Sequence, residues 1–338
     1  MPLTQAIDPN SKKSARPPFD PELESLLKAN SYLSVPLLPR HIERLREALA
    51  APAARMPDSA LRRAGKVAFD ELTIPASEGA AGLPLLVLRP AHGTGPRPGV
   101  CFFHGGGMVS GDNRTGIEIM LDWVEQLHLV VASVAYRLAP EHPHPAPVED
   151  CYAALTWLDA NRAWAGIDTQ ALLLAGTSSG GGLAAGVGLL ARDRNGPKIS
   201  DQILMCPMLD DSAAFHSSGE LDREGVWDAR SNRTGWEALL GSAKGTEQVP
   251  SCAAPSRERV LAGLPATYLD VGAVETFRDE VIDFGARLAQ AGVSTELHVW
   301  AGAFHGFDVL AADSAVARAA RASRVEYLRR RLRGRVAP

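Results

Sequence analysis

The residues best suited to chemistry in this chain are a serine, a histidine and a few acids in glycine-rich segments. Ser178 lies in the segment 176–181, GTSSGG, which follows the short apolar run 171–175. A serine with a glycine two positions away on each side, at a turn from a strand into a helix, is the pattern of a nucleophile elbow. The glycines are needed because larger side chains would collide in so tight a turn. The pattern predicts that Ser178 is a nucleophile at the carboxyl end of a sheet.

Two simpler interpretations of this segment stay open. The chain has 31 glycines, so a G-x-S-x-G pentapeptide can arise by chance in a loop. A glycine-rich turn from strand to helix can also bind phosphate. The segment has no lysine at the position that a P-loop requires and no G-x-G-x-x-G register, so the nucleophile is the favoured interpretation.

A second glycine-rich segment, HGGG at 104–107, follows the apolar run 98–103. Acyl transfer places negative charge on the carbonyl oxygen of the substrate, and preorganised N–H groups stabilise that charge. Glycines let backbone N–H groups point into a pocket, although HGGG could also be only a flexible loop. The predicted oxyanion donors are the N–H groups of Gly105, Gly106 and Ser179. The predicted loop supports are His104 and Gly107.

His305 is the candidate base because it lies in a glycine-flanked loop after the last strand-like run. In one known type of catalytic triad, the serine, the acid and the histidine follow one another in this order along the sequence. The acid then lies between Ser178 and His305, and the candidates are Glu275, Asp270 and Asp279. Asp270 falls within a strand-like run, and Asp279 falls in the first turns of a helix, where an acid also suits the helix dipole. Glu275 lies in the loop between them and is favoured, but the residues alone leave all three open.

Eight strand-like runs, with helical segments between most of them, must position these side chains. Alternating strands and helices indicate an α/β fold with a mainly parallel sheet and helices on both faces. A long polar stretch interrupts the alternation and would lie above the carboxyl ends of the strands. We expect residues 66–206 and 256–338 to form the core, and residues 1–65 and 207–255 to form a helical cap. The strand-like runs begin near residue 66 and recur at 84–90, 98–103, 129–135, 171–175, 202–206, 266–271 and 295–300.

Composition excludes several classes of protein. The 338-residue chain has a net charge of −4, which argues against nucleic acid as a main partner. No run approaches 18 apolar residues and the start lacks an apolar leader, so neither a membrane span nor a signal peptide is expected. The arginine-rich end, 329–335, is interpreted as the solvated end of a terminal helix. Residues 1–18 are expected to be loose.

The four cysteines form no C-x-x-C pair, so buried free thiols and a cytoplasmic location are expected. His142 and His144 form an H-x-H pair in a proline-rich loop, but no third ligand is evident nearby. A metal site there is therefore disfavoured, and neither a metal nor a cofactor is expected.

Several ordered motifs make the chain resemble the hormone-sensitive-lipase family of α/β-hydrolases, and its bacterial esterases most of all. The resemblance covers about residues 65–325. It implies the α/β-hydrolase fold, an esterase acting on short- to medium-chain acyl esters, and no cofactor. It also suggests a homodimer through the edge strand 295–300 and the helix near the end of the chain. The motifs are HGGG at 104–107, YRLAPE at 136–141, PAPVED at 145–150, GTSSGG at 176–181 and HGF at 305–307.

The resemblance also bears on the choice of the acid. Thr177 stands where the commoner branch of the family has aspartate. In this respect the chain resembles the branch of the family with a GTSAG elbow. That branch places a glutamate triad member in an E-x-F-R-D-E run, and this run matches residues 275–280. The resemblance therefore favours Glu275. Two departures are Ser179, where alanine is usual, and Met108, where an aromatic residue often follows HGGG. Because this position lines the mouth of the pocket in members of the family, the resemblance implies that Met108 contacts substrate.

Three hypotheses follow for function. A serine carboxylesterase is the first. An amidase, carbamate hydrolase or lactonase with the same triad is the second, and sequence alone does not separate it from the first. A non-catalytic receptor for a small molecule on this fold is the third; it is disfavoured because serine, acid and histidine are all present, and it rests on analogy of fold alone.

Overall fold

A computed structural model describes residues 16–334 of the chain, except for 52–54, 77–81 and 94. The predicted loose start of the chain falls mostly on residues 1–15, outside the described residues. The expectation that the start of the chain lacks a signal peptide also concerns residues outside the described ones. The last residue of the arginine-rich end, Arg335, lies outside them too.

The strands form one mainly parallel eight-stranded sheet, which confirms the predicted fold class. The sheet order is β1-β2-β4-β3-β5-β6-β7-β8. The pairs β1–β2 and β2–β4 are antiparallel, and every other neighbouring pair is parallel. The carboxyl ends of the parallel strands therefore meet at one edge, where the loops that follow them converge. The strands are β1 Val67–Ile74, β2 Leu83–Pro90, β3 Arg97–Phe103, β4 Val130–Val134, β5 Ile167–Thr177, β6 Asp201–Met205, β7 Ala266–Gly272 and β8 Thr295–Trp300.

Helices cover both faces of the sheet because side chains alternate along each central strand. In β3, Cys101 and Phe103 pack with α5, α7 and α9 in one apolar cluster, whereas Val100 and Phe102 pack with α4 and α11 in the other. The four strand residues are fully buried. The α-helices of the described residues are α1 Pro21–Ala29, α2 Ile42–Ala50, α3 Asp58–Leu61, α4 Ile117–Leu127, α5 Ala146–Ala160, α6 Arg162–Ala165, α7 Ser179–Asp193, α8 Ala229–Leu240, α9 Arg278–Gln290, α10 Phe307–Leu310 and α11 Ala315–Arg331.

The two segments predicted to form the cap contact each other. The amide of Leu37 donates to Ser231 Oγ over 2.9 Å, and Thr234 Oγ1 donates to the carbonyl of Leu37 over 2.8 Å. Helix α1 packs in an apolar cluster with Phe304 and Phe307, next to the predicted base. The division of the chain into cap and core stays a prediction.

Strand β8 lies at the edge of the sheet, as the expected dimer contact requires. Val299 in this strand is 42% exposed. The dimer itself stays a prediction. In the described part of the chain, no helix is long and apolar enough to cross a membrane.

Candidate active site

Ser178 occupies the turn between β5 and α7. Its φ of 58° and ψ of −122° are rare for a residue with a side chain, so the surrounding structure must hold it in place. The Ser178 amide donates to the carbonyl of Met205 over 2.8 Å, and its own carbonyl accepts from the amide of Met208 over 3.0 Å. A Cβ at Gly176 would lie 2.0 Å from the carbonyl oxygen of Gly180, so the turn requires glycine there.

The HGGG loop after β3 lies directly against this serine. A Cβ added at Gly105 would lie 3.4 Å from Ser178 Cβ. Gly106 has a φ of +121°, and a Cβ there would lie 2.2 Å from the carbonyl oxygen of Ser110, so only glycine fits. Ser179 is the first residue of α7, where backbone N–H groups have no acceptor within the helix. Gly105 and Ser179 thus lie next to Ser178, and the role of the three N–H groups as oxyanion donors stays a prediction.

His104 is fully buried and contacts the backbone of the HGGG loop. Its Nδ1 donates to the carbonyl of Gly105 over 2.7 Å, and its ring stacks on Tyr136 with the ring centres 4.2 Å apart. The Tyr136 hydroxyl donates to the His104 carbonyl over 2.8 Å. Burial lowers the pKa of His104 to about 4, so the ring is neutral at physiological pH.

The buried His104 makes the stability of the protein depend on pH. In the unfolded chain its pKa returns to about 6.5, so the unfolded state binds a proton first as the pH falls. The contribution of the neutral, buried ring to the free energy of unfolding is complete above pH 6.5 and is lost as the pH falls toward 4. We expect the free energy of unfolding to drop by about 2 kcal/mol from this residue between about pH 7 and pH 5.

Urea unfolding of the wild type and of His104→Asn at these two pH values measures the effect. The variant should lose about 2 kcal/mol of the pH dependence, whatever its stability at neutral pH. An unchanged pH dependence would show that this ring does not titrate with folding as described.

His305 lies between Ser178 and Glu275. Its Nε2 is 2.9 Å from Ser178 Oγ, and its Nδ1 is 3.0 Å from Glu275 Oε1. The second oxygen of Glu275 accepts from the amide of Gly272 over 2.9 Å, which fixes the carboxylate. Phe277 packs edge-on against the imidazole. The three residues are buried, with 5% of Ser178, 7% of His305 and 1% of Glu275 exposed.

Backbone contacts between the two loops set this geometry. The amide of Val274 donates to the carbonyl of Ala303 over 2.9 Å, and the amide of Ala273 donates to the carbonyl of Trp300 over 2.8 Å. A Cβ at Gly272 would lie 2.3 Å from the carbonyl oxygen of Ala303, so the loops touch where a glycine permits it.

The two other candidate acids are paired elsewhere. Asp270 Oδ2 accepts from Arg324 Nε over 2.7 Å. Asp279 pairs with Arg278 over 2.7 Å and also accepts from the amide of Ser217. Of the three acids, the structure places Glu275 at the histidine.

The remaining motifs of the resemblance support the HGGG loop. Arg137 makes a bidentate contact with the buried Asp150, with distances of 2.8 Å to each carboxylate oxygen. The amide of Ala139 donates to the carbonyl of Met108 over 2.9 Å, which ties this region to the loop. Arg46 of α2 donates to the carbonyls of Val109 and Ala139. Sequence reasoning missed Arg46, since no motif surrounds it.

Met108 and Trp227, the latter in the segment predicted as cap, lie close to the HGGG loop and the start of α7. Met108, predicted to contact substrate, is 1% exposed, and its Cε lies 3.9 Å from where a Cβ of Gly182 would be. Trp227 lies over Gly107, because a Cβ there would be 2.1 Å from the indole Cη2. The carbonyl of Trp227 accepts from Thr276 Oγ1 over 2.7 Å, which anchors this part of the cap beside the acid.

A buried arginine behind the site also went unpredicted. Arg324 of α11 is 2% exposed and contacts two buried carboxylates, Asp270 and Asp308. Asp270 lies in β7 ahead of Glu275, and Asp308 follows His305 in the sequence. The guanidinium holds the pKa of Asp308 below its usual range, whereas burial raises the pKa of Asp270. Arg324 thus connects the two strand-end segments that carry the base and the acid.

Several known proteins are similar to this chain in fold and in sequence. Residues 100–309 match the family described as alpha/beta hydrolase fold. Carboxylesterase NlhH of Mycobacterium tuberculosis is 31% identical over 301 residues, covering 87% of this chain and 90% of that protein. Esterase LipI of the same organism is 35% identical, covering 62% of this chain and 65% of its own. The structure of a bacterial heroin esterase superposes with a TM-score of 0.80 at 34% identity, covering 94% and 98% of the two chains.

The fold and these likenesses define a carboxylic ester hydrolase. The chain belongs to the α/β-hydrolase family and, as predicted from its motifs, to the hormone-sensitive-lipase type within it.

Proposed function

We propose that this protein is a serine carboxylesterase that works through Ser178, His305 and Glu275 and an acyl-enzyme intermediate. The observation that carries the proposal is the position of His305, within 2.9 Å of the serine hydroxyl and 3.0 Å of the glutamate. A nucleophile, a base and a group that orients the base, each within hydrogen-bond reach, form the pattern of an activated serine.

The proposed reaction has two stages. His305 Nε2 takes the Ser178 proton as Oγ attacks the ester carbonyl, and the N–H groups of Gly105, Gly106 and Ser179 stabilise the oxyanion. The C–O bond to the alcohol breaks, and the alcohol leaves with the proton from His305. Water, deprotonated by His305, then attacks the acyl carbon. The bond from that carbon to Ser178 Oγ breaks, Oγ takes the proton back from His305, and the carboxylic acid is released. Glu275 stabilises the imidazolium in both stages.

The proposed substrates have short- to medium-chain acyl groups. Crowding around the nucleophile supports this limit, since Ser178 is 5% exposed and Met108 is 1% exposed. The ring of Trp227 lies over Gly107 and narrows the space beside the HGGG loop. We therefore expect short acyl groups to fit beside Ser178 better than long ones.

A fluorophosphonate and an ester panel test the proposal together. We expect one equivalent of the phosphonate to attach to Ser178 and to abolish hydrolysis of p-nitrophenyl butyrate, as seen by peptide mass spectrometry and an activity assay. p-Nitrophenyl esters of two to eight carbons should be cleaved faster than the palmitate ester and than matched anilides. Labelling of another residue, or faster cleavage of the anilides, would contradict the proposal.

We also propose a cytoplasmic location. Cys101, Cys151, Cys206 and Cys252 are free, and the first three are buried. Unpaired thiols in every cysteine position are typical of a reducing compartment.

A further inference from the structure

One arginine from the N-terminal part of the chain reaches the backbone next to the HGGG loop. Arg46 lies on α2, and its Nε donates to the carbonyl of Val109 over 2.6 Å. Its Nη2 donates to the carbonyl of Ala139 over 2.7 Å. Val109 lies in the loop after β3, and Ala139 lies in the loop after β4. A single guanidinium thus joins the loops that follow two neighbouring strands of the sheet.

The contact with Val109 continues directly to Gly106. The peptide bond after Val109 carries the carbonyl that Arg46 contacts and, on its other side, the N–H of Ser110. This N–H donates to the carbonyl of Gly106 over 3.1 Å, and Ser110 Oγ donates to the same carbonyl over 3.0 Å. Because a peptide bond is planar, a partner that fixes its oxygen also fixes the direction of its N–H. Arg46 therefore orients a donor that holds Gly106, one of the predicted oxyanion residues.

The contact with Ala139 continues to the other side of the loop. The amide of Ala139 donates to the carbonyl of Met108 over 2.9 Å, while its own carbonyl accepts from Arg46. Val109 and Ala139 are both fully buried, so either carbonyl without its donor would cost the free energy of its lost hydration. The two chains of contacts thus hold the backbone on both sides of Gly107.

The backbone between these two points is strained. Gly106, Gly107 and Met108 have φ angles of +121°, +64° and +63° in succession. Met108 has a side chain, so this conformation costs free energy there and persists only where the surrounding structure holds it. Oxyanion donors stabilise a transition state only when they are already aimed at the oxygen. The loop therefore needs external contacts to keep its N–H groups in place.

Glu141 fixes the guanidinium itself. Arg46 Nη1 donates to Glu141 Oε1 over 2.8 Å, and Nη2 donates to Oε2 over 2.9 Å. These hydrogen bonds hold the pKa of Glu141 below its usual range, so the carboxylate is charged at neutral pH. The Glu141 side chain is 58% exposed, so the ion pair contributes little to stability. Its effect is to hold the planar guanidinium in one orientation.

We propose that Arg46 is a positioning residue for the oxyanion hole, through which the N-terminal segment (residues 1–65) sets the conformation of the HGGG loop. This inference rests on the proposed esterase function and adds a residue to that same site. Arg46 acts through the loop backbone, so its loss should weaken stabilisation of the transition state more than binding of the substrate. A residue that only joined the N-terminal segment to the core would change stability and leave kcat of the folded protein unchanged.

A matched pair of variants tests this proposal. Arg46→Met keeps the aliphatic stem and removes the donors. The control is Arg63→Met, because Arg63 also lies in the N-terminal segment and donates to the carbonyl of Glu118 and to the carboxylate of Asp122, both on α4. The side chains of Arg46 and Arg63 are 27% and 33% exposed, so the two changes are similar in burial.

Steady-state kinetics with p-nitrophenyl butyrate gives the first measurement, and thermal unfolding shows whether each variant is folded. Arg46→Met should lower kcat at least about tenfold and change KM less than about threefold. Arg63→Met should keep kcat within about a factor of two.

A transition-state analogue gives the second measurement. In 1,1,1-trifluoro-2-pentanone, Ser178 Oγ forms a bond to the carbonyl carbon, the serine proton passes to His305, and the carbonyl oxygen becomes an oxyanion. The inhibition constant of this ketone for Arg46→Met should rise by about the same factor by which kcat/KM falls. A purely structural role would not move this constant in the folded variant.

Arg46→Lys keeps the charge and the stem, and it decides the question if Arg46→Met does not fold. A lysine ammonium lacks the planar fork that contacts Val109, Ala139 and Glu141 together. We therefore expect kcat of this variant to fall at least about threefold with little change in KM. If the methionine variant is unfolded, a smaller fall in the lysine variant overturns the proposal.

The outcomes separate this inference from the proposed function. A fall in kcat for folded Arg46→Met no larger than that for Arg63→Met overturns the positioning role and leaves the esterase intact. A fall in kcat with unchanged affinity for the ketone overturns it as well, since the oxyanion hole is then unaltered. Failure of the wild type to hydrolyse p-nitrophenyl butyrate overturns the esterase function, and this inference with it.

Discussion

Replacing Ser178 with alanine is expected to lower kcat for p-nitrophenyl butyrate by roughly 10⁶-fold. The variant lacks the oxygen that attacks the carbonyl, so no acyl-enzyme forms. The backbone N–H groups around the serine remain, and binding together with the oxyanion donors should keep a residual rate about 10³-fold above that of water alone. Stopped assays on concentrated enzyme measure both rates.

A matched surface change controls for the substitution itself. Ser25 is exposed on α1, and its hydroxyl donates to the carbonyl of Pro21 over 2.8 Å. Ser25→Ala removes the same atom far from the site, so kcat should stay within about a factor of two. Hydrolysis by Ser178→Ala at more than a hundredth of the wild-type rate would mean that another group attacks the ester.

The sheet was predictable from sequence because its strands are local apolar runs. The run 98–103 became β3, Arg97–Phe103, and the run 295–300 became β8, Thr295–Trp300. Fully buried parallel strands need apolar residues on both faces, so they are visible without knowledge of their neighbours. The glycine motifs were equally local, since a turn and the close approach it permits are encoded in a few adjacent residues.

The choice of acid was less predictable from the residues alone. Asp270, Glu275 and Asp279 lie within ten positions of one another, and each could be placed near a histidine by spacing. The structure distinguishes them through contacts with distant residues. Gly272 packs on the carbonyl of Ala303 and turns Glu275 toward the base, whereas Arg324 from α11 holds Asp270.

Contacts across the chain explain what sequence reasoning missed. Arg324 carries no motif, and its two carboxylate partners are recognisable only once β7, α10 and α11 are packed together. Trp227 lies in the polar stretch predicted to form part of the cap, and no motif marks it, because its contact with Gly107 joins segments far apart in the chain. Such pairings depend on tertiary geometry, which periodicity and propensity do not encode.

Replacing Glu275 with glutamine is expected to lower kcat by about 10⁴-fold with little change in the fold. Gly272 supplies an N–H to one carboxylate oxygen over 2.9 Å, so the amide oxygen of glutamine should take that position. The amide NH₂ then faces His305 Nδ1, which must act as an acceptor. The ring proton moves to Nε2, and the nitrogen that should accept the Ser178 proton is blocked. Steady-state kinetics with p-nitrophenyl butyrate measures the loss.

The neighbouring acid provides the control for this loss. Asp279→Asn makes the same chemical change at a carboxylate that pairs with Arg278 and accepts from the Ser217 amide. Since it makes no contact with His305, the variant should lose stability through its broken ion pair but keep kcat within about fivefold. A larger fall in kcat for Asp279→Asn than for Glu275→Gln, with both proteins folded, would remove Glu275 from the triad. Equal falls would indicate that the acid loop, not one carboxylate, orients the histidine.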